Sequence, residues 1–533
     1  MKFFKKNKKE IIFAALIILL AALTRFLMLG QVPISLSDDE IRQVYSAYSI
    51  FHTGKDVYGN FLPLIFNIDS LNYGPVSIYI SSLFFVFMKL SIFSGRLPYA
   101  LFGALTVISV YFLTKSILKN SCIGFISATV LAISVWQIQI SRLAHDASFA
   151  LFFYVLGITL FTKIKKNELR NVLLAMFVLF LGFYSYAATR VIFIPFLIIL
   201  IWYKFKDLNK KHIYIIVSST LLIFGLFAYL SLTQKATEYG TGPFFFMDKS
   251  NTALQVELER RGSQEPSVIK TIYHNKVTYW YKTFVNQYSY AFSPQFLFTS
   301  QEGSGIYSIW GRGELYSFEI ILIFLGAIYL ILKKRKEFIF ILLMLLAAVL
   351  PSGLGINSPT YFTRSELMIP FLYILVASGV YAISYFVKNI DLKRLLYLFL
   401  VCFYIYAFGG YLFQYYYDWS RTNAKYYSKS TQDLVYKINF YRQEGKQVIV
   451  SSATDNTFLH YAFYNKLDPR LVQENINKSP IIFNNIIFQK NCLLIKQQNV
   501  IFISSESCNY HATPSAEIKT YDNSETIWKI YEN

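Results

Sequence analysis

Asp38, Asp39 and Glu40 stand side by side, the densest negative charge in a chain that is otherwise mostly apolar. Adjacent carboxylates suit proton transfer, one taking the proton of an attacking hydroxyl while a neighbour orients it. Like charges so close raise the proton affinity of one of them, which suits a base working near neutral pH. The triplet reads equally well as a cap, with Asp39 as N-cap of a helix over 40–53 at its positive dipole end. The two readings are compatible.

A second group is Arg142, His145 and Asp146. Spaced i, i+3 and i+4 they would share one helix face, and an Arg142–Asp146 ion pair is the plain alternative to a catalytic role. Arg190, Arg364, His274 and Lys276 are further cations, of the kind an anionic phosphate needs as it leaves. Each alone reads first as an anchor for lipid headgroups. Tyr279-Trp280-Tyr281 and Tyr415-Tyr416-Tyr417 would stack on sugars or belong to an interfacial aromatic belt. The hard oxygens of Asp38, Asp39, Glu40 and Asp146 also suit Mg²⁺ or Mn²⁺, whereas no Cys/His metal spacing occurs.

The elements that position these groups are membrane helices. The hydrophobic fraction is 55% and the mean hydropathy +0.40, above the range of soluble domains. Residues 11–30 are long enough to span, and the basic MKFFKKNKKE before them places the N-terminus in the cytoplasm. No small-residue cleavage site follows, so this run reads as an anchor rather than a signal peptide. The net charge of +20 sits in short loops, a topology signal that argues against nucleic acid. Twelve apolar stretches are long enough to span, near 11–30, 74–93, 97–118, 121–138, 146–163, 170–187, 190–204, 213–232, 314–332, 337–352, 365–387 and 394–412.

From residue 97 onward every second loop is basic, and those loops are therefore cytoplasmic. Parity then forbids 74–93 from crossing, so it should lie in the interface as a juxtamembrane helix. Eleven spans remain, with the N-terminus inside and the C-terminus outside. The outer face receives 31–96 with the acidic triplet, the loop 233–312, and the tail from 413. That tail reads as a soluble α/β domain of about 120 residues, helical over 430–444 with strands at 447–450 and 500–503. Cys122 and Cys402 read as core residues, and Cys492 and Cys508 are placed to form one disulfide if the tail is outside the cell.

The order of features resembles the glycosyltransferases of the GT-C fold, specifically family 39. That family includes protein O-mannosyltransferases and the aminoarabinose transferases that modify lipid A. The resemblance lies in Asp39-Glu40, in the run Gly54 to Pro63, in Arg96 to Gly103, and in Ser134-Val135-Trp136 with Ser141-Arg142 and Asp146. It continues in Phe292 to Phe298 and in Thr363-Arg364. It implies a GT-C membrane domain over 1–412, all α, with 413–533 as an extracytoplasmic α/β domain. It also implies a multi-pass enzyme of a bacterial plasma membrane, moving one sugar from a polyprenyl-phosphate carrier to a hydroxyl of a protein, lipid or glycan acceptor, with inversion.

By the same resemblance Asp39 is the base, Glu40 its neighbour and Asp146 a second active-site carboxylate. Arg142 and Arg364 are then donor-phosphate contacts; Arg190 and Lys276 are candidates for the same role by their charge, and Asp38, His145, His274 and Tyr73 are candidates for further substrate contacts. No cofactor is implied, since family 39 is regarded as metal-independent. One departure is Gly74 in Asn72-Tyr73-Gly74-Pro75, where the family carries Lys or His. The competing readings are a transporter or flippase for a lipid-linked saccharide, using the carboxylates for coupling, and an inactive scaffold of an envelope glycan complex.

Overall fold

The computed structural model describes residues 8–532 apart from 70, 167, 234–243, 301–305, 307, 308, 310, 357–360, 493–498, 509 and 511. Each segment expected to cross is helical. The helices are Lys8–Phe26, Ile92–Leu118, the pair Ser121–Ala132 and Val135–Ser141, Ala147–Thr162, Leu169–Phe183 and Ala187–Asp207. Lys210–Thr233, Glu319–Lys333, Arg335–Leu354, Phe362–Phe386 and Ile390–Thr422 complete the set. Among the described residues six helices are long and apolar enough to span, seven if the bent pair counts as one. Length thus supports a membrane protein and by itself accounts for six or seven of the eleven crossings expected. The stretch 74–93 supplies only Pro75–Val86, 8 α-helical and 4 3₁₀ residues. That run covers about 18 Å, too little for a hydrocarbon core of about 30 Å.

The chain folds as two compact units. The first comprises Met1–Arg25, Leu101–Ser141 and Asp146–Tyr411. Its helices pack through glycines: a Cβ on Gly326 would strike the Leu375 carbonyl, and one on Gly379 the Leu322 carbonyl. The helices Glu319–Lys333 and Ile369–Phe386 therefore meet backbone to backbone, as small residues permit in apolar surroundings. The bend of 62° between Ser121–Ala132 and Val135–Ser141 frees carbonyls that no water can satisfy in lipid. Arg25, fully buried, donates to the carbonyls of Leu131 (3.1 Å) and Ala132 (2.5 Å) and to Gln137 Oε1 (Nε, 3.0 Å). It plugs the break. Cys122 and Cys402 are exposed rather than in the core, because they lie on the outward sides of their helices.

The second unit comprises Phe26–Ala100, Arg142–His145 and Leu412–Asn533. This departs from the boundary at 412/413, which left 31–96 with the membrane helices. Hydrogen bonds give the reason. Tyr45 donates to the Leu467 carbonyl (3.0 Å), Gln473 Nε2 to Ser49 Oγ (3.0 Å) and Thr53 Oγ1 (2.9 Å), and Ser35 bonds Tyr464 (2.6 Å). A short hairpin, β1 (Phe66–Ile68) with β2 (Leu71–Tyr73), follows the acidic helix.

The tail forms a six-stranded sheet from β3 (Gln447–Ser451), β4 (Ile481–Phe483), β5 (Ile486–Gln489), β6 (Val500–Ser505), β7 (Ala516–Lys519) and β8 (Thr526–Glu532). Its order is β4-β5-β3-β6-β8-β7, with β3 parallel to β5 and β6 and the edges antiparallel. The central strands read as continuous apolar runs because both faces are covered. Cys492 and Cys508 form the disulfide.

Candidate active site

The acidic helix runs Asp38–Thr53 and begins two residues earlier than a cap at Asp39 requires. Its N-cap is Ser37, whose Oγ accepts from Glu40 N (3.3 Å) while Ser37 N donates to Glu40 Oε2 (3.0 Å), a reciprocal capping box. Gly54, in the left-handed region at φ 67°, closes the helix. The cap frees Asp38 and Asp39 for other partners.

The three carboxylates have separate partners. Glu40 is 2% exposed and accepts Arg96 Nε at 2.7 Å, Arg96 Nη2 at 2.9 Å and Ala144 N at 3.0 Å. Arg96 is fully buried and also donates to the Pro33 carbonyl (2.8 Å). Expected as an active-site neighbour of the base, Glu40 instead spends its oxygens on a buried ion pair that fixes the turn before the helix. Asp38 is half exposed and accepts from Ser428 Oγ (2.8 Å) and from His460 Nε2 (3.1 Å). Partial burial raises its proton affinity, but the hydrogen bond and charge of His460 and the Ser428 bond outweigh this and hold the carboxyl at about 2.

Asp39 differs from both. Its Oδ1 accepts from Tyr73 (2.8 Å) and Arg42 Nη1 (3.0 Å). Its Oδ2 takes no hydrogen bond from the described residues, and the side chain is 34% exposed. Arg42 is shared, its Nη2 lying 2.8 Å from Asp69 Oδ2. Burial first, then the Asp39 charge, raises the Tyr73 phenol well above its ordinary value, so it stays a donor. Gly74 is the N-cap of the helix that Pro75 opens, and the cation bonded to neighbouring Tyr73 is Arg42 (3.4 Å).

Arg142, His145 and Asp146 do not share a helix face. The helix Val135–Ser141 ends before Arg142, and the next begins at Ala147. Arg142 is fully buried. It donates to the carbonyls of Leu27 (2.8 Å) and Val32 (3.0 Å) and to Tyr415 (3.1 Å), with Tyr416 over its plane. Expected to meet the donor phosphate, it ties the turn after the first helix to the tail. His145 is half-buried in the turn.

In the first unit, Asp146 precedes Ala147–Thr162 and is 3% exposed. Tyr186, bonded to Thr363 Oγ1 at 3.3 Å, lies within electrostatic reach of Arg364, Asp146 and Glu366, and Arg190 within reach of Asp146. Arg364 donates to the Ile356 carbonyl and lies over Tyr361. Arg190 lies over Phe227, and its Nε has no partner among the described residues. His274 pairs instead with Glu259 (2.9 Å), and Lys276 lies exposed over Trp280.

Sequence reasoning missed Glu366, Arg42, Asp69 and His460. Glu366 is fully buried, with no hydrogen-bond partner on either oxygen among the described residues; its signal was a lone carboxylate entering an apolar helix. Arg42 was legible as the i+3 partner of Asp39. Asp69 and His460 carried no local signal. Among the described residues no group of three or more His, Cys, Asp or Glu side chains could hold a metal ion. Within the triplet this follows from the three separate sets of partners.

Residues 72–229 match the family described as dolichyl-phosphate-mannose-protein mannosyltransferase. The structure is similar to that of ArnT from Cupriavidus metallidurans in its apo state, with a TM-score of 0.57, 11% identity and 98% of each chain covered. The undecaprenyl-phosphate-bound form of that protein gives 0.55 at 10% identity, again with 98% of each chain covered. The fold is that of the GT-C glycosyltransferases. It is also similar to the oligosaccharyltransferase AglB of Archaeoglobus fulgidus, solved with an inhibitory peptide and a dolichol-phosphate. There the TM-score is 0.51 at 12% identity, covering 94% of this chain and 70% of that one. The chain spans 65% of the apo form of the Archaeoglobus fulgidus enzyme. No curated protein matches it in sequence.

Proposed function

We propose that this GT-C chain is a polyprenyl-phosphate-sugar-dependent glycosyltransferase of the extracytoplasmic membrane face, with Asp39 as general base. One observation carries the assignment of the base. Asp39 keeps Oδ2 unbonded among the described residues while its Oδ1 is held by Tyr73 and Arg42; Asp38 also has a spare oxygen, but His460 and Ser428 hold that carboxyl at about 2, too weak a base for neutral pH. That is the geometry of an oriented base with a lone pair to spend. Supporting the donor class are the family match over 72–229 and the polyprenyl carrier bound by the similar ArnT.

In this reading the acceptor hydroxyl gives its proton to Asp39 Oδ2 as its oxygen attacks the anomeric carbon. The bond from that carbon to the phosphate oxygen breaks on the opposite face, and polyprenyl phosphate leaves with the electron pair. Configuration inverts because a single displacement occurs. The step uses no metal, so a chelator leaves turnover unchanged.

The test is release of free polyprenyl phosphate by the purified protein from a panel of polyprenyl-phosphate sugars with hydroxyl acceptors. Asp39→Asn is expected to lower it by about 10²–10⁴-fold while donor binding persists. Wild-type turnover in that variant would remove Asp39 as base. Donor binding without release by the wild type would favour transport.

A further inference from the structure

The helix Asp455–Tyr464 belongs to the tail by sequence, yet two of its side chains reach the groups that flank Asp39. Asn456 and His460 are spaced i, i+4 and so share one helix face. Asn456 Nδ2 donates to Asp69 Oδ2 at 3.1 Å, the same oxygen that Arg42 Nη2 binds at 2.8 Å. His460 Nε2 stands 3.1 Å from Asp38 Oδ1, and its imidazole is fully buried. Asn456 is 4% exposed. Side chains this buried are held in place, so what they bond is held as well.

We infer that this tail helix is a working wall of the acidic site, with Asn456 and His460 as positioning residues that set how much positive charge Asp39 receives. The inference rests on the reading of Asp39 as base. Arg42 divides its guanidinium between Asp39 and Asp69. Asn456 anchors Asp69 and so keeps part of that charge away from Asp39. On the other side, His460 places positive charge beside the Asp38 carboxylate, which offsets the repulsion that carboxylate exerts on Asp39.

The groups facing Asp39 are Arg42 on its own helix and Tyr73 on β2. Those facing Asp38 are His460, Ser428 and, at longer range, Arg42. Asp455 on the tail helix turns instead to Tyr58 (3.3 Å) and Lys490 (3.0 Å). The two arms act with opposite sign. Freeing Asp69 hands Arg42 to Asp39 and makes it a weaker base, whereas removing the His460 charge from beside Asp38 makes Asp39 a stronger one.

The test needs no substrate. Carbodiimide labels protonated carboxyls, and mass spectrometry of the Asp39 peptide across pH gives a labelling midpoint, with Asp39→Asn as the blank. Asn456→Ala is expected to lower that midpoint and His460→Ala to raise it, each by about one pH unit. His460→Gln keeps a donor to Asp38 without the charge and is expected to raise it as well, so the test survives if His460→Ala does not fold. Midpoints that stay at the wild-type value in the folded variants, or that move in one direction for both arms, overturn the inference. Turnover of Asp39→Asn is a separate measurement, so failure of the base and failure of the wall are distinguishable.

Discussion

Asp38 and Glu40 show how two carboxylates of one short run come to differ. Glu40 is buried against Arg96, and Asp38 is pinned at the surface by His460 and Ser428. Because the folded Asp38 carboxyl lies at about 2, below the usual aspartate value of 3.8, its stabilising contribution is present above that usual value. It is lost as pH falls through the folded value. Asp38→Asn should therefore lower the thermal midpoint of the solubilised protein at neutral pH, and the difference from wild type should close between about pH 4 and 2. The sequence showed the triplet but not this division of labour. Ser37 outcompeted Asp39 for the cap, and the partners Arg96, Ser428 and His460 come from distant parts of the chain.

At the scale of elements, the apolar segments were legible because lipid leaves a backbone few options besides the helix. Less legible was where helices stop. Nothing glycine- or proline-like marks the end at Ser141, so the spacing of Arg142, His145 and Asp146 reads as one face when it is a turn. The helix break at Ile133 and Ser134 and its repair by Arg25 were equally silent, since a long-range hydrogen bond leaves no local pattern. The ion pair between Arg96 and Glu40 joins the acidic helix to Ile92–Leu118 with both partners out of water. Arg96→Met leaves Glu40 charged and unmatched, which costs about 3–5 kcal/mol. Thermal unfolding in detergent should show that loss, and the double variant Arg96→Met/Glu40→Gln should recover part of it.

At the scale of the whole molecule, charge bias and helix length speak to different questions. The alternation of basic loops gives an order of sides, while length gives six or seven segments able to cross unaided among the described residues. The two measures part at Lys8–Phe26, the bent pair Ser121–Ala132 and Val135–Ser141, Ala147–Thr162, Leu169–Phe183 and Glu319–Lys333. A reporter active only outside the cell, fused after the last residue, is expected to be active. One fused in the basic loop 333–336 should be silent. Activity at both points would remove the eleven-crossing order. The tail domain was legible as α/β from its short buried strands, but its grouping with residues 26–100 was not, because hydrogen bonds such as Tyr45 to Leu467 join residues far apart in sequence.

The crossing of Glu319–Lys333 with Ile369–Phe386 has a genetic consequence. Gly326 and Gly379 each face a carbonyl where a side chain would begin, and every single-base change of a glycine codon to that of another residue adds at least one carbon there. Neither helix can back away without opening a gap along its whole length. Both codons are thus places where mutation has no small step to take, and drift in this lineage should leave them untouched while the lipid-facing residues around them turn over freely.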